Sequence, residues 1–175
     1  MIVCVGDLVT NGNFEDGPCD FLNGTNGILL PPSIFDHSPL PGWTIESNKP
    51  SKYIDSTHFS VPQGRGAVEL LSSLGSLLSQ TVDTAPGKSY RLSFAVGDGK
   101  NACKGPMAVQ ANSGNKTFRV HYESKSTGGF KIARFVFTAI LPTTRIAFMS
   151  LSYMKSDNSG SLCGPVVDHV QVVAL

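Results

Sequence analysis

The side chains available for chemistry are 13 carboxylates, four histidines, four cysteines and a scatter of arginines, and their spacing matters more than their number. Asp36-His37-Ser38 sets acid, imidazole and hydroxyl in a row. A hydrolytic triad is assembled in space from distant segments, so this adjacency carries no weight. His58, His121 and His169 lack the spacing that puts two imidazoles on one helix face around zinc. Glu46 and Glu69 would be the acid and nucleophile of a glycosidase only if folding held them across a cleft, and no motif fixes their separation. The chain is therefore read as non-enzymatic. One carboxylate stands apart: Asp168 lies in Val166-Val-Asp-His-Val-Gln-Val-Val173, and an acid among valines needs a cation, a metal or several N–H donors. Held ionised in that way, its pKa would be depressed, and the stability it lends would vanish in acid.

The run carrying Asp168 reads as a central strand, with Val166, Asp168, Val170 and Val172 on one face and Val167, His169, Gln171 and Val173 on the other. Gly164-Pro165 opens it, where a missing ladder donor is tolerated. At the other end, Leu8 to Glu15 reads as an opening strand, with Asn11-Gly12 giving backbone freedom before Phe14 enters the core. The stretch to Gly42 holds Gly24, Gly27, Pro31, Pro32, Pro39 and Pro41 and reads as a long wrapped surface loop. Further strands are predicted from Trp43, from Lys52 to Asp55, from Phe59 to Val61, and from Ala67 to Leu71. That last run is read as a hairpin with Leu77 to Val82. Tyr90, Leu92, Phe94 and Val96 alternate inward with Arg91, Ser93 and Ala95 outward. Four more runs start at Met107, Thr117, Phe130 and Thr144. No stretch predicts a helix. About ten strands at this spacing imply an all-β sandwich, and strands at both ends that can lie side by side favour a jelly roll.

A length of 175 residues supports one core, with 1–6 as an N-terminal extension and 7–175 as a single domain. The formal charge of +1 leaves no basic stripe for nucleic acid, and no run of about 20 apolar residues could cross a membrane as a helix. Cys4, Cys19, Cys103 and Cys163 lack a CxxC or His spacing, which favours a disulfide framework formed in an oxidising compartment over a metal site. Cys4 and Cys19 flank the first strand and either pair with each other or leave Cys4 a free thiol. Asn23-Gly-Thr25 and Asn115-Lys-Thr117 are glycan acceptors if the chain is secreted.

Asn11-Gly-Asn-Phe-Glu15, the Pro41-Gly-Trp43 turn, Pro86-Gly-Lys-Ser-Tyr-Arg-Leu-Ser-Phe94 and Gly164-Pro-Val-Val-Asp168 resemble galactose-binding-like jelly rolls common among carbohydrate-binding modules. Longer motifs narrow the resemblance: His37-Ser-Pro-Leu-Pro-Gly-Trp43, His58-Phe-Ser-Val-Pro-Gln-Gly-Arg65, Ser93-Phe-Ala-Val-Gly-Asp98, Asn101-Ala-Cys103 and Leu162-Cys-Gly-Pro165. Together they are similar to plant cell-wall proteins of domain-of-unknown-function family 642, over nearly the whole chain. Members typically carry an export signal and two such jelly rolls, and this chain looks like the second.

The resemblance implies a non-enzymatic apoplastic protein associated with wall polysaccharide (pectin, cellulose or hemicellulose), with pectin methylesterase as a protein partner. Docking on such an enzyme to modulate it is the alternative function. Cys103 and Cys163 align with the family's paired cysteines. Glu15 and Asp168 come from the terminal strands, where related modules often hold a structural calcium ion; Asp168 bound by turn N–H groups or by Arg or Lys is the alternative. No other cofactor is implied. Trp43 after Pro-Gly fits a core plug. Tyr53, Phe59, Tyr122 and Tyr153, near loops and polar neighbours, are the candidates for sugar contact, with partial burial as the plainer alternative. Arg91, Arg119 and Arg134 fall mid-strand and could line one sheet face, where guanidinium forks would grip uronate carboxylates, unless they are solvated positions paired with Glu69 or Glu123.

Overall fold

The computed structural model describes residues 6–18, 27–30, 38–46, 51–71 and 77–175. They form β1 (Ile28–Leu29), β2 (Thr44–Ile45), β3 (Ser51–Asp55), β4 (Gly66–Leu70), β5 (Leu77–Asp83), β6 (Ser89–Gly97), β7 (Gly105–Ser113), β8 (Lys116–Ser124), β9 (Phe130–Thr138), β10 (Thr143–Ser150), β11 (Met154–Lys155), β12 (Leu162–Cys163) and β13 (Val166–Ala174). No helix occurs among the described residues. A six-stranded sheet runs β1-β3-β4-β13-β6-β9 and a five-stranded sheet runs β2-β5-β10-β7-β8, with β11-β12 a separate ribbon.

The two large sheets enclose one core. Tyr90, Leu92, Phe94 and Val96 of β6 all point into it, as their alternation predicts, and share it with Val109 and Ala111 of β7 and Ile146 and Phe148 of β10. Large rings fill its middle. Trp43 is buried, its ring centroid 5.3 Å from Phe14 and 6.1 Å from Phe148, while Phe148 meets Phe94 edge-on at 4.9 Å. The indole Nε1 donates to the Asn11 carbonyl at 2.9 Å, so this tryptophan packs as a core plug with its one polar atom satisfied.

Several sequence expectations are corrected. Leu8 to Glu15 is not a strand, because left-handed backbone at Asn11 (φ 49) and Phe14 (φ 53) breaks any ladder. It nevertheless lies along β13, with Leu8 N donating to Val172 O and Val170 N donating to Gly12 O, so the two ends of the domain do run side by side. The stretch from Asp16 to Gly42 is more than surface loop: β1 pairs with β3, and Leu29 and Leu40 are buried. Phe59 to Val61 is turn and coil, without a strand partner among the described residues. The expected hairpin of β4 with β5 does not form. β4 pairs with β3 and β13 while β5 pairs with β10 and β2, so the chain crosses from one sheet to the other between them. Short apolar runs state that a strand is buried without naming its neighbour.

Candidate functional site

Strict alternation along β13 fails at a bulge. Asp168 opposes Ala95, the register then shifts, and pairing resumes at Gln171 opposite Ser93, with His169 at φ 50 absorbing the extra residue. Val167, Val170 and Val172 therefore share the core. Asp168 is fully buried beneath the turn at 63–66: Gln63 N donates to Oδ2 at 2.9 Å and His169 N to Oδ1 at 2.6 Å. Glu15 grips the same turn. Its Oε1 accepts from Arg65 N at 2.6 Å and Gly66 N at 3.2 Å, and its Oε2 from the Arg65 guanidinium at 3.2 Å.

The two acids differ electrostatically. Burial raises Glu15, but the N–H groups of Arg65 and Gly66 and the Arg65 charge outweigh it and hold the carboxyl below its ordinary value. Burial pushes Asp168 up to about 7, with the charge of Glu15 acting in the same direction and the two N–H donors opposing. The expectation of a depressed Asp168 is thus reversed, because two donors do not offset full desolvation. Hard carboxylates beside one another, one of them poorly compensated, are chemistry that suits calcium. Two carboxylates fall short of the six to eight oxygens that ion takes, so backbone carbonyls would have to complete the shell. No group of three or more His, Cys, Asp or Glu side chains gathers as metal ligands among the described residues.

Cys103 and Cys163 form a disulfide, with Cα atoms 6.0 Å apart, against Met107, Met154 and Tyr122. Glu69 is buried nearby, its Oε1 accepting from Asn101 Nδ2 at 2.8 Å and Gly164 N at 3.1 Å, and burial raises its pKa. Glu46 belongs to the other sheet, where it pairs with Arg145 and accepts from the Ser79 hydroxyl. These two glutamates therefore do not form a facing pair, and Glu69 is not available to the arginines. Cys4, Cys19 and Asn23 lie outside the described residues.

The four aromatic candidates separate sharply. Tyr53 is core: β3 turns it inward, it is 6% exposed, and its hydroxyl donates to Phe14 O at 3.0 Å. Tyr122 is half-buried on the inner side of β8, its hydroxyl 3.5 Å from Asp98 Oδ2. Phe59 has the Lys52 ammonium 4.2 Å from its ring centroid, so one face already holds a cation. It lines a hollow of about 400 Å³ with Thr57, His58, Ser60 and Lys100. Tyr153, 64% exposed, is the one of the four with its ring open to solvent. The three arginines do not line one face. Arg91 and Arg134 lie on the outer side of the six-stranded sheet, opposite core-facing Leu92 and Ala133, whereas Arg119 lies on the outer side of the five-stranded sheet.

That five-stranded outer face carries the residues missed from the sequence. Because β7 turns Met107, Val109 and Ala111 inward, Ala108, Gln110 and Asn112 face out; β8 likewise presents Thr117, Arg119, His121 and Glu123. The register sets Arg119, Gln110 and Met149 in one row and Thr117, Asn112, Ala147 and Ser79 in the next. A row crossing four strands spans about 14 Å at ordinary strand spacing. Ala108 and Ala147 keep the middle low, and the Glu46–Arg145 ion pair stands at the rim. Asn112 Oδ1 is buried and has no hydrogen-bond partner among the described residues. The signal was present in the sequence, since 108, 110 and 112 alternate with the apolar 107, 109 and 111. Chemically the strip offers amide, hydroxyl, guanidinium and imidazole groups for hydrogen bonding.

The architecture is a jelly-roll β-sandwich, a fold that carbohydrate-binding modules share. The module TmCBM61, solved in complex with β-1,4-galactotriose, superposes with a TM-score of 0.60 at 17% identity over 97% of this chain and 99% of its own. The CBM22-1 xylan-binding domain of Paenibacillus barcinonensis Xyn10C gives 0.53 at 12% identity over 84% and 94%. Residues 7–173 match the model of the protein family of unknown function DUF642, and the chain belongs to that family. It is 53% identical over 171 residues to the Arabidopsis thaliana protein DUF642 L-galactono-1,4-lactone-responsive gene 2, covering 97% of this chain and 46% of that protein. The chain thus spans about half the length of the curated relatives it matches.

Proposed function

We propose that this domain is a non-catalytic, secreted module of the plant cell wall that binds polysaccharide across the outer face of its five-stranded sheet. The observation carrying the reading is the strip of outward polar side chains on β7 and β8, where Thr117, Arg119 and His121 are exposed and Gln110 and Asn112 are half-buried beside them. Side chains held in register on paired strands exchange water for sugar hydroxyls at a net gain of about 1 kcal/mol per hydrogen bond. Sugars recognised by similar jelly rolls, a β-1,4-galactotriose in one and xylan in another, support a neutral or weakly charged glycan laid across strands. The Cys103–Cys163 disulfide supports an oxidising compartment. Under the same proposal, Glu15 and Asp168 hold a calcium ion whose work is structural: it would neutralise two carboxylates and secure the turn that both already grip.

Calorimetric titration with pectin, cellulose and xylan fragments tests it. At least one glycan should bind, and Asn112→Ala, Gln110→Ala or Arg119→Ala should each weaken it roughly threefold to tenfold, the worth of one hydrogen bond. Variants that bind like the wild type would remove the sheet face from consideration. Capture of purified pectin methylesterase without any glycan would favour a protein-docking module instead.

A further inference from the structure

At the end of the sandwich away from the disulfide, a hollow of about 230 Å³ is framed by the β7–β8 turn and the loop from β9 to β10. Its wall is apolar. Phe137 is buried at its base, stacked on Tyr90 with centroids 5.6 Å apart, while Ile140 is 59% and Leu141 62% exposed. Such a volume lies below the roughly 300–1,000 Å³ of clefts that enclose drug-sized ligands, so it suits a single small ring. The loop is held in place on both sides: Gly87 N donates to Ala139 O, Ala139 N to Lys88 O, Thr84 N to Pro142 O, and the Thr84 hydroxyl bonds Leu141 O and the Thr144 hydroxyl. The hollow is therefore preformed. On its rim stands Asn115, exposed in the two-residue turn where Gly114 takes φ 59, and Asn115-Lys116-Thr117 is an acceptor triplet for N-glycosylation.

We infer that this hollow seats the first N-acetylglucosamine of a glycan on Asn115. In the transfer, Asn115 Nδ2 displaces the diphosphate from C1 of a polyprenyl-diphosphate oligosaccharide; the N–C1 bond forms as C1–O breaks, and one amide proton is lost as the diphosphate departs. The acetamido methyl and the apolar side of the ring then cover Ile140 and Leu141, while Thr138 and Thr143 offer hydroxyls at the edge. Two features that look unrelated are joined in this way: Ile140 and Leu141, apolar yet more than half exposed, and an attachment point on the rim of the same hollow. Covalent attachment supplies the high effective concentration that lets so small a contact persist.

The test uses the chain secreted from a glycosylating eukaryotic host. Mass spectrometry should find Asn115 occupied. Endoglycosidase trimming to a single N-acetylglucosamine should leave Tm and the binding of an apolar-surface dye unchanged, whereas Asn115→Gln should lower Tm by about 2–4 °C and raise dye binding. Asn23→Gln, made as a control, should not reproduce that change. The glycosylated Ile140→Ser, Leu141→Ser double variant changes only exposed side chains, and in it the further Asn115→Gln substitution should cost no Tm. An unmodified Asn115 in the secreted protein would overturn the inference. So would occupied Asn115 whose loss alters neither Tm nor dye binding.

Discussion

Asp168 is the point at which pH should act on this fold. Its buried carboxyl titrates at about 7 instead of 3.8, so the folded chain retains a proton that the unfolded chain has already released. Below about pH 4 both states are protonated and the group costs nothing. As pH climbs to about 7, folding must take up a proton, and beyond that it must bury a charge, so stability falls with rising pH. At 1.36 kcal/mol per pH unit, this amounts to roughly 4 kcal/mol lost between about pH 4 and pH 8. The sign is opposite for Glu15, Glu46 and Asp55, whose lowered values remove stability only as pH drops into the acid range. Glu69 is raised by burial and acts in the same sense as Asp168. Urea unfolding with Trp43 fluorescence, in chelator, should show wild type losing stability across this window and Asp168→Asn losing less, the fall due to Glu69 remaining. Calcium, if Glu15 and Asp168 hold it, should flatten the wild-type profile and leave the variant unchanged. Parallel profiles for the two proteins in chelator would refute the reasoning.

Two further outcomes follow from the packing. Replacing Cys103 and Cys163 with serine opens a loop of 60 residues and should lower stability by about 4 kcal/mol, read as a smaller urea midpoint; an unchanged midpoint would show the bridge to be dispensable. A Cβ at Gly12 would lie 2.0 Å from the Val170 carbonyl, so Gly12→Ala should loosen the N-terminal segment from β13, seen as faster amide exchange at Val170 and Leu8 with β7 and β8 unaffected.

What the sequence displayed was mostly local. Tyr90, Leu92, Phe94 and Val96 alternate without interruption, and the strand lies where that pattern puts it, with the same residues inward. Trp43 after a Pro-Gly turn was legible as core for a similar reason. The bulge at 168–171 was not, because a run of valines around Asp168 and His169 holds no glycine to mark the left-handed residue. That single extra residue moves Val170 and Val172 to the face occupied by Val167. Sheet membership was equally hidden: β4 and β5 are neighbours in sequence with a spacer of hairpin length, yet they belong to opposite layers. The arginines failed on the same account, since mid-strand position shows that a side chain alternates outward without saying from which layer. The open strip through Gln110 and Asn112 needed both the alternation and the register of β7 with β8 and β10.

The segment beginning at Asp7 is fastened to Val172, and Leu175 N donates to Ser89 O close by. Polypeptide joined ahead of the one or behind the other would therefore leave the body from adjacent places, as two cords knotted at a single eyelet. A companion domain tied there could swing without unthreading the sandwich, and a pull applied through both cords would strain the fastening along β13 before it reached the aromatic interior.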